Sequence, residues 1–293
     1  MSDKIMITGA AGFLGYHLTF LLSDDYTVAG TFHEKMTSVV PVQLYKVDIT
    51  DPESVESCVD IFKPDYLVHA AACADVDWCE KNPEEAMRVN RDGSAHVAEI
   101  CVKHSIPLIL ISTDLVFDGK KGDYIEKDDP NPINLYGKSK LAGERRVLDI
   151  SGDNIVFRVA LLFGPDSPFK KGYIVGTMEK IRNGEKAYFF KDQYRTPLYT
   201  ADVASAIDHV VQRKPSGGVY HLSGPDKLNR YEFGLKMQEA YGFKDEFLIP
   251  ALMEDLPELM PRPKDVSLNH KKASSAFGFD PTDVEVALRS IIA

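Results

Sequence analysis

Short apolar runs alternate with amphipathic stretches along most of the chain, and that alternation predicts its architecture. Lys4 to Thr8 (KIMIT), Tyr26 to Phe32 (YTVAGTF), Gln43 to Asp48, Tyr66 to Ala72 (YLVHAAA), Leu108 to Ile111, Asn154 to Leu162 and Gly218 to Leu222 read as strands. The run at 108–111 is apolar enough to be central and buried on both faces. Between these runs lie segments with helical spacing: Tyr16 to Ser23, a helix opened by Asp51 and Pro52, the long amphipathic stretch Pro83 to His104, a helix that Asn134 caps, and Thr200 to Gln212. Asp51 suits an N-cap and Pro52 the first helical position. Further on, Asn229 caps one helix and Asp280-Pro281 opens the last. A helix after each strand, with right-handed crossovers, gives an α/β fold: a Rossmann-like, doubly wound parallel sheet.

The first strand runs into Gly9-Ala10-Ala11-Gly12-Phe13-Leu14-Gly15 and then a helix. Strand, glycine-rich turn and helix are the setting of a dinucleotide fingerprint, here spaced GxxGxxG. Gly9 permits the tight turn, Gly12 lets backbone approach a pyrophosphate at the positive helix end, and Gly15 lets the helix close on the strand. The second strand ends in Thr31-Phe32-His33, followed by Glu34 and Lys35, without a carboxylate at its tip. His33 and Lys35 there favour NADP over NAD, with NAD still open. Asp48 ends the third strand, where a carboxylate serves an adenine amino group or a turn; Ala70, Ala71 and Ala72 are small enough for a cofactor to lie against. On this reading residues 1–163 form an NADP-binding domain completed by about 195–222. Residues 164–194 and 223–293 form a smaller, mostly helical substrate lobe, with the cleft between them.

Tyr136 and Lys140 lie four apart on the helix that Asn134 caps, so they share a face, whereas Lys138 points away. An ammonium beside a phenol favours the phenolate, the behaviour of a tuned proton donor. Ser112, Thr113 and Asp114 follow the central strand at the sheet edge where such folds bind ligands.

Composition narrows the partners. The 293 residues carry a net charge of −10, which disfavours nucleic acid and anionic membranes. Cys58, Cys73, Cys79 and Cys101 form no CxxC pair, the eight histidines show no metal spacing, and His69 in its apolar strand reads as a core residue. These features predict reduced thiols, no metal and a cytoplasmic protein, with no room for a signal peptide before the first strand. Arg195, Arg262 and Lys264 are cations available to a diphosphate; a homodimer is compatible with everything in the sequence.

The glycine turn, Ser112-Thr113-Asp114 and Tyr136-x-x-x-Lys140 together resemble the extended short-chain dehydrogenase/reductase superfamily. Ile111 to Gly119, Asn134 to Glu144, Asp192 to Pro197, and Arg262-Pro263 followed by Leu268 are similar to its dTDP-4-dehydrorhamnose reductase branch. That resemblance covers essentially the whole chain. It implies an NADPH-dependent reductase of a nucleotide-linked 4-keto-deoxysugar, with Thr113, Tyr136 and Lys140 catalytic. Tyr136 would give the proton, Lys140 would hold the nicotinamide ribose, and Thr113 would bond the reacting oxygen. The cofactor would meet Gly9, Gly12, Phe13, Leu14, Gly15, Thr31, His33, Asp48, Ile49, Ala70, Ala71, Ala72, Asn90, Tyr136 and Lys140. The sugar nucleotide would meet Asp114, Arg195 and Arg262.

The regulatory beta subunit of methionine adenosyltransferase shares most of these segments, which implies a second expectation: a non-catalytic NADP-binding subunit. Leu115 and Leu161, standing where the branch's reductases place aromatics, motivate it, and Asn269 stands where the branch often shows Asp. A nucleotide-sugar epimerase is the third expectation. Dehydration is disfavoured, because Leu115 occupies the place of the dehydratases' glutamate and transfers no proton.

Overall fold

The computed structural model describes residues 2–34, 42–168, 172–256 and 261–292. In chain order the first elements are Lys4–Thr8 (β1), Phe13–Leu22 (α1), Thr27–Phe32 (β2), Gln43–Lys46 (β3), Pro52–Phe62 (α2), Tyr66–His69 (β4), Val76–Lys81 (α3), Pro83–Met87 (α4), Ser94–Lys103 (α5), Leu108–Thr113 (β5), Leu135–Ile150 (α6) and Ile155–Val159 (β6). There follow Leu162–Phe163 (β7), Tyr173–Arg182 (α7), Ala187–Phe190 (β8), Tyr194–Arg195 (β9), Leu198–Tyr199 (β10), Thr200–Arg213 (α8), Gly218–Leu222 (β11), Leu228–Asn229 (β12), Arg230–Tyr241 (α9), Leu248–Ala251 (β13), Lys271–Phe277 (α10) and Val284–Ile292 (α11).

Seven of the strands form one parallel sheet in the order β11-β6-β5-β4-β1-β2-β3. From β1 the chain winds first toward β3, then back through β4 to β6, so the winding reverses between β1 and β4. That reversal opens a crevice at the carboxyl ends of the strands. The helices cover both faces, which is why the strands are apolar in continuous runs. One face packs Ile5, Ile7, Ile109, Phe157 and Tyr220 against α1 and α8; the other packs Met6, Leu67, Leu108, Leu110 and Val156 against α2, α5 and α6.

A third apolar cluster, around Phe163, Ile174, Phe189, Phe233, Leu248 and Leu288, lies under β8, β13, α7, α9 and α11. The sequence assigns all of 223–293 to this side. The structure corrects that: Val266, Leu268, Ala273, Phe277 and Phe279 are buried in the sheet's own core, with Phe277 against Phe157 and Tyr220.

Other differences have local causes. Strand β4 stops at His69, not Ala72, because the Thr8 hydroxyl accepts from the Ala70 and Ala71 amides at 3.2 Å each. The expected helix at 83–104 is interrupted by a π turn over Arg88–Gly93. The last helix begins at Val284, not at Asp280-Pro281, because Asp283 accepts from the Glu285 and Val286 amides while Asp202 binds Thr282 through its amide and hydroxyl. Asn134 does cap α6, accepting from the Gly137 amide at 2.8 Å.

Helix α6 approaches its neighbours without side chains in between. A Cβ on Gly137 would stand 2.1 Å from the Leu115 carbonyl oxygen, and one on Gly143 would stand 2.2 Å from that of Asn90. Gly143→Ala should therefore destabilise by about 1–3 kcal/mol through overpacking, although alanine is the better helix former by ~1 kcal/mol. Gly176→Ala in α7, where a Cβ meets nothing within 4 Å, should instead stabilise. Urea midpoints of the two variants check the contrast.

Candidate active site

At the crevice, Gly9 has φ +75°, and a Cβ there would lie 2.7 Å from the Ala71 Cα. Its carbonyl accepts from the Gly12 amide at 2.8 Å, and a Cβ on Gly15 would fall 2.1 Å from that oxygen. The turn is thus pressed between β4 and the start of α1. Beside it is a cavity of about 600 Å³ lined by Gly9, Gly12, Thr31, His33, Asp48, Ile49, Ala70, Ala71 and Ala72. Six other residues assigned to the cofactor do not line it: Phe13, Leu14, Gly15, Asn90, Tyr136 and Lys140. Leu14 is in the core, Gly15 packs on Gly9, and Phe13 meets the His17 ring edge-on at 5.0 Å and covers Gly172.

At the far end of this cavity His33 faces Asp48, Nε2 to Oδ2 3.7 Å, and the other Asp48 oxygen accepts from the Thr50 amide and hydroxyl. Burial raises the Asp48 pKa, but the Thr50 bonds and the charges of His33 and Arg88 outweigh it and leave the carboxyl below its usual range. His33 thus has a carboxylate for a neighbour, and half of Asp48 is already bonded. Lys35 lies outside the described residues. Sequence reading missed Trp78, Glu85 and Arg88, which also line the cavity. They sit on α3, on α4 and at the π turn, elements whose facing toward β2 and β3 no local pattern announces.

The π turn places Asn90 under the cofactor loop. Its side chain accepts from the Cys73 amide and donates to the Cys73 carbonyl and the Ser139 hydroxyl, each at 2.9 Å. Ser94 donates to the Asn90 carbonyl at 2.8 Å and meets His69 Nε2 at 3.1 Å, while His69 Nδ1 meets the Thr8 hydroxyl at 2.7 Å. Burial pushes the His69 pKa down to about 3, with the Lys140 charge adding to the effect, so the ring is a neutral core residue. One chain of hydrogen bonds thereby joins β1, β4, the π turn and α6.

A second cavity, of about 320 Å³, opens beside Cys73 and Ala74. Thr113, Asp114, Leu115, Tyr136, Leu161, Arg195 and Arg262 line it. Lys140 is 3% exposed on the inner face of α6, whereas Lys138 is exposed. Burial pulls the Lys140 pKa down to about 8, with Glu144 opposing. The expected lowering of Tyr136 is overturned. Burial pushes the phenol up, a Thr113 hydrogen bond opposes, and the Asp114 charge adds to the rise. Desolvation beats the tuning expected from a neighbouring ammonium.

Thr113 lines this cavity, and so does Ser112. The Ser112 hydroxyl donates to buried Glu144, which also takes Arg158 in a fork, Nη2 to Oε2 at 2.7 Å and Nε to Oε1 at 3.2 Å. Arg195 lies 3.5 Å from Asp114, and Arg262 forks onto Asp77 at 3.1 Å to each oxygen. Arg230, at the start of α9, lines the cavity as well and was missed. Its signal was present: Asn229 and Glu232 form a capping box that puts Arg230 in the first turn. Lys264 is exposed.

The glycine cradle, the alanine wall and the cavity between them fit a dinucleotide, whose pyrophosphate would meet the α1 terminus. Fold and site define a nucleotide-binding protein of the extended short-chain dehydrogenase/reductase type. More specifically, the chain belongs to the RmlD substrate binding domain family, whose model matches residues 3–293. It is 32% identical over 299 residues to a dTDP-4-dehydrorhamnose reductase of Aggregatibacter actinomycetemcomitans, covering 98% of each chain. It is 31% identical to the methionine adenosyltransferase 2 subunit beta of Danio rerio, covering 90% of this chain and 82% of that one. Among solved structures, a Bacillus anthracis dTDP-4-dehydrorhamnose reductase in complex with NADP superposes with a TM-score of 0.88 at 26% identity, covering 100% of this chain and 99% of that one. Among the described residues no helix is long and apolar enough to cross a membrane.

The two arginine pairs should differ in weight. Arg195→Ala strands the buried Asp114 and should cost about 3 kcal/mol, whereas Arg262→Ala opens a half-exposed pair and should cost under ~1 kcal/mol. Urea unfolding of both variants measures the difference.

Proposed function

We propose that the protein is an NADPH-dependent reductase of a nucleotide-linked 4-keto-deoxysugar, acting in the cytoplasm. The observation that carries this reading is that Thr113 and Tyr136 line one cavity, with buried Lys140 one turn along the same helix, next to a cradle that fits a dinucleotide. The reductase relatives that match over the full length of the chain support it. The cradle side, with residues 266–279, is the cofactor domain and the α7, α9 and α11 side the substrate lobe.

Bound NADPH supplies the hydride to the sugar carbonyl carbon. Tyr136 gives its proton to the oxygen, which would otherwise become an alkoxide. The phenol is protonated at neutral pH, as any tyrosine is, so the proton is in place at the start of the reaction. Lys140, ammonium below about pH 8, holds the ribose and offsets negative charge as it grows. Thr113 bonds the reacting oxygen. Arg195, Arg230 and Arg262 stand where a diphosphate would be neutralised. A homodimer is part of the proposal only as an assembly that leaves both cavities open.

The second reading, a non-catalytic NADP-binding regulatory subunit, draws on the beta-subunit likeness and on Leu115 and Leu161 in the cavity wall. NADPH oxidation by the purified chain alone separates the two.

Tyr136→Phe should lower kcat with a dTDP-4-keto-sugar by about 10²–10⁴-fold while NADPH still binds. Lys140→Ala should lose far more activity than Lys138→Ala. Equal losses for the two lysines would remove Lys140 from the site. The pH dependence has a definite sign. The free protein's Lys140 titrates near 8, so NADPH affinity should be flat below pH 7 and weaken as pH rises through about 8. Lys140→Met should lack that dependence in a fluorescence titration.

A further inference from the structure

The amino ends of the strands carry a cavity of about 540 Å³, close in size to the cofactor cavity and within the range of small-molecule sites. Tyr66, Pro107, Ile155 and Gly217 line it where β4, β5, β6 and β11 begin. The crevice lies at the opposite ends of the same strands. Both cores of the sheet reach this cavity, with Ile155 and Val210 from one face and Cys101 and Ile106 from the other. No step of the proposed reduction uses any of these residues.

Two deeply buried polar side chains open on it. Tyr66 is 8% exposed and packed in the sheet core, and its hydroxyl has no hydrogen-bond partner among the described residues. Asn154 is 4% exposed and also lines the cavity. Its Nδ2 donates to the Val147 carbonyl at 2.8 Å. A carbonyl only accepts, so the amide nitrogen must face Val147, and Oδ1 turns the other way without a donor among the described residues. A buried hydroxyl and a buried amide oxygen left open on a cavity are groups that a ligand satisfies.

Charge and shape narrow the ligand. Helices α5, α6 and α8 end at this side of the sheet, each with the negative end of its dipole. Cys101 and Val102 from the last turn of α5, the α6 C-cap Ser151 and Val210 from the last turn of α8 are all in the wall. Asp153 adds a carboxylate, and Lys214, exposed, is the one cation in the wall among the described residues. An anion is therefore opposed. Val102, Ile106, Pro107, Ile155, Val210 and Pro215 give an apolar body a surface to be buried against. Asn154 Oδ1 takes only a donor. Cys101 adds no covalent chemistry, because burial pushes its thiol up to about 12.

We propose that the cavity at the amino ends of the strands is a second ligand site, which takes a ring-bearing amine whose donors meet the Tyr66 hydroxyl and Asn154 Oδ1. The site stands apart from the reductase reading, and neither depends on the other.

The probe is tryptamine, compared with indole-3-acetate, which has the same ring and the opposite charge. Each is titrated onto the full chain, with and without NADPH, and followed in amide proton–nitrogen correlation spectra. Tryptamine should shift the amides of Ser105, Asn154 and Gly217 saturably, with Kd on the order of 1 mM or tighter, whether or not NADPH is present. Indole-3-acetate should bind at least about tenfold more weakly, because three helix dipoles oppose it. Tyr66→Phe, which removes only the hydroxyl, should weaken tryptamine by about three- to tenfold. Ser216→Trp, at an exposed position in the wall, should abolish saturation by filling the cavity. If Ser216→Trp does not fold, Val102→Trp, also exposed and in the wall, takes its place. Absence of a saturable shift at millimolar tryptamine overturns the proposal. So do shifts confined to the crevice, equal affinity for the acid and the amine, or unchanged tryptamine affinity in either variant.

Discussion

Everything at the crevice depends on how closely α6 lies against its neighbours' backbones. Gly137 abuts the Leu115 carbonyl and Gly143 abuts that of Asn90, while Glu144 reaches inward to Ser112 and Arg158. Two points of backbone contact and one buried ionic clamp fix the helix in rotation as well as position. Tyr136 and Lys140 have no freedom to turn together away from the cavities, because any rotation drives a glycine's neighbours into a carbonyl. The clamp joins β5, α6 and β6, so the helix is registered on the two central strands that end beside the substrate cavity.

Burial sets the electrostatics of this region more strongly than any neighbouring charge. Tyr136 rises, Lys140 falls to about 8 and His69 to about 3, each with desolvation as the leading cause. Tyr136 and His69 are thus held neutral, Lys140 stays an ammonium below about pH 8, and the other buried charges are paired: Glu144 with Arg158, Asp114 with Arg195. A site of this kind makes any charge that develops on a ligand strongly felt, because little water is present to screen it.

Much of this was legible in the sequence because it is local. Gly9 and Gly15 are needed for the tight turn and close approach that the spacing suggests, and Asn134 caps the helix whose four-residue period puts Lys140 inside and Lys138 outside. What was not legible is set by tertiary packing. The π turn at Arg88–Gly93 inserts itself within an uninterrupted helical pattern, and only the bonds of Asn90 to Cys73 and Ser139 reveal why. Ser112 reads like Thr113, but its hydroxyl is taken by Glu144, a bond no local pattern announces. The shift of Tyr136 was misjudged because a spacing rule reports a charge nearby but not the water removed.

The return of Val266–Phe279 to the sheet has a consequence for how the molecule comes apart. After β6 the chain passes from the sheet core to the Phe163–Phe189 cluster, back through Leu198–Leu222, out again with Phe233–Leu248, home at Val266–Phe279, and out once more with Val284–Leu288. Two cores threaded alternately by one strand of polypeptide share their boundary at every crossing. Releasing either core's share of chain pulls on segments that the other holds, so the threading couples the stability of the two cleft walls.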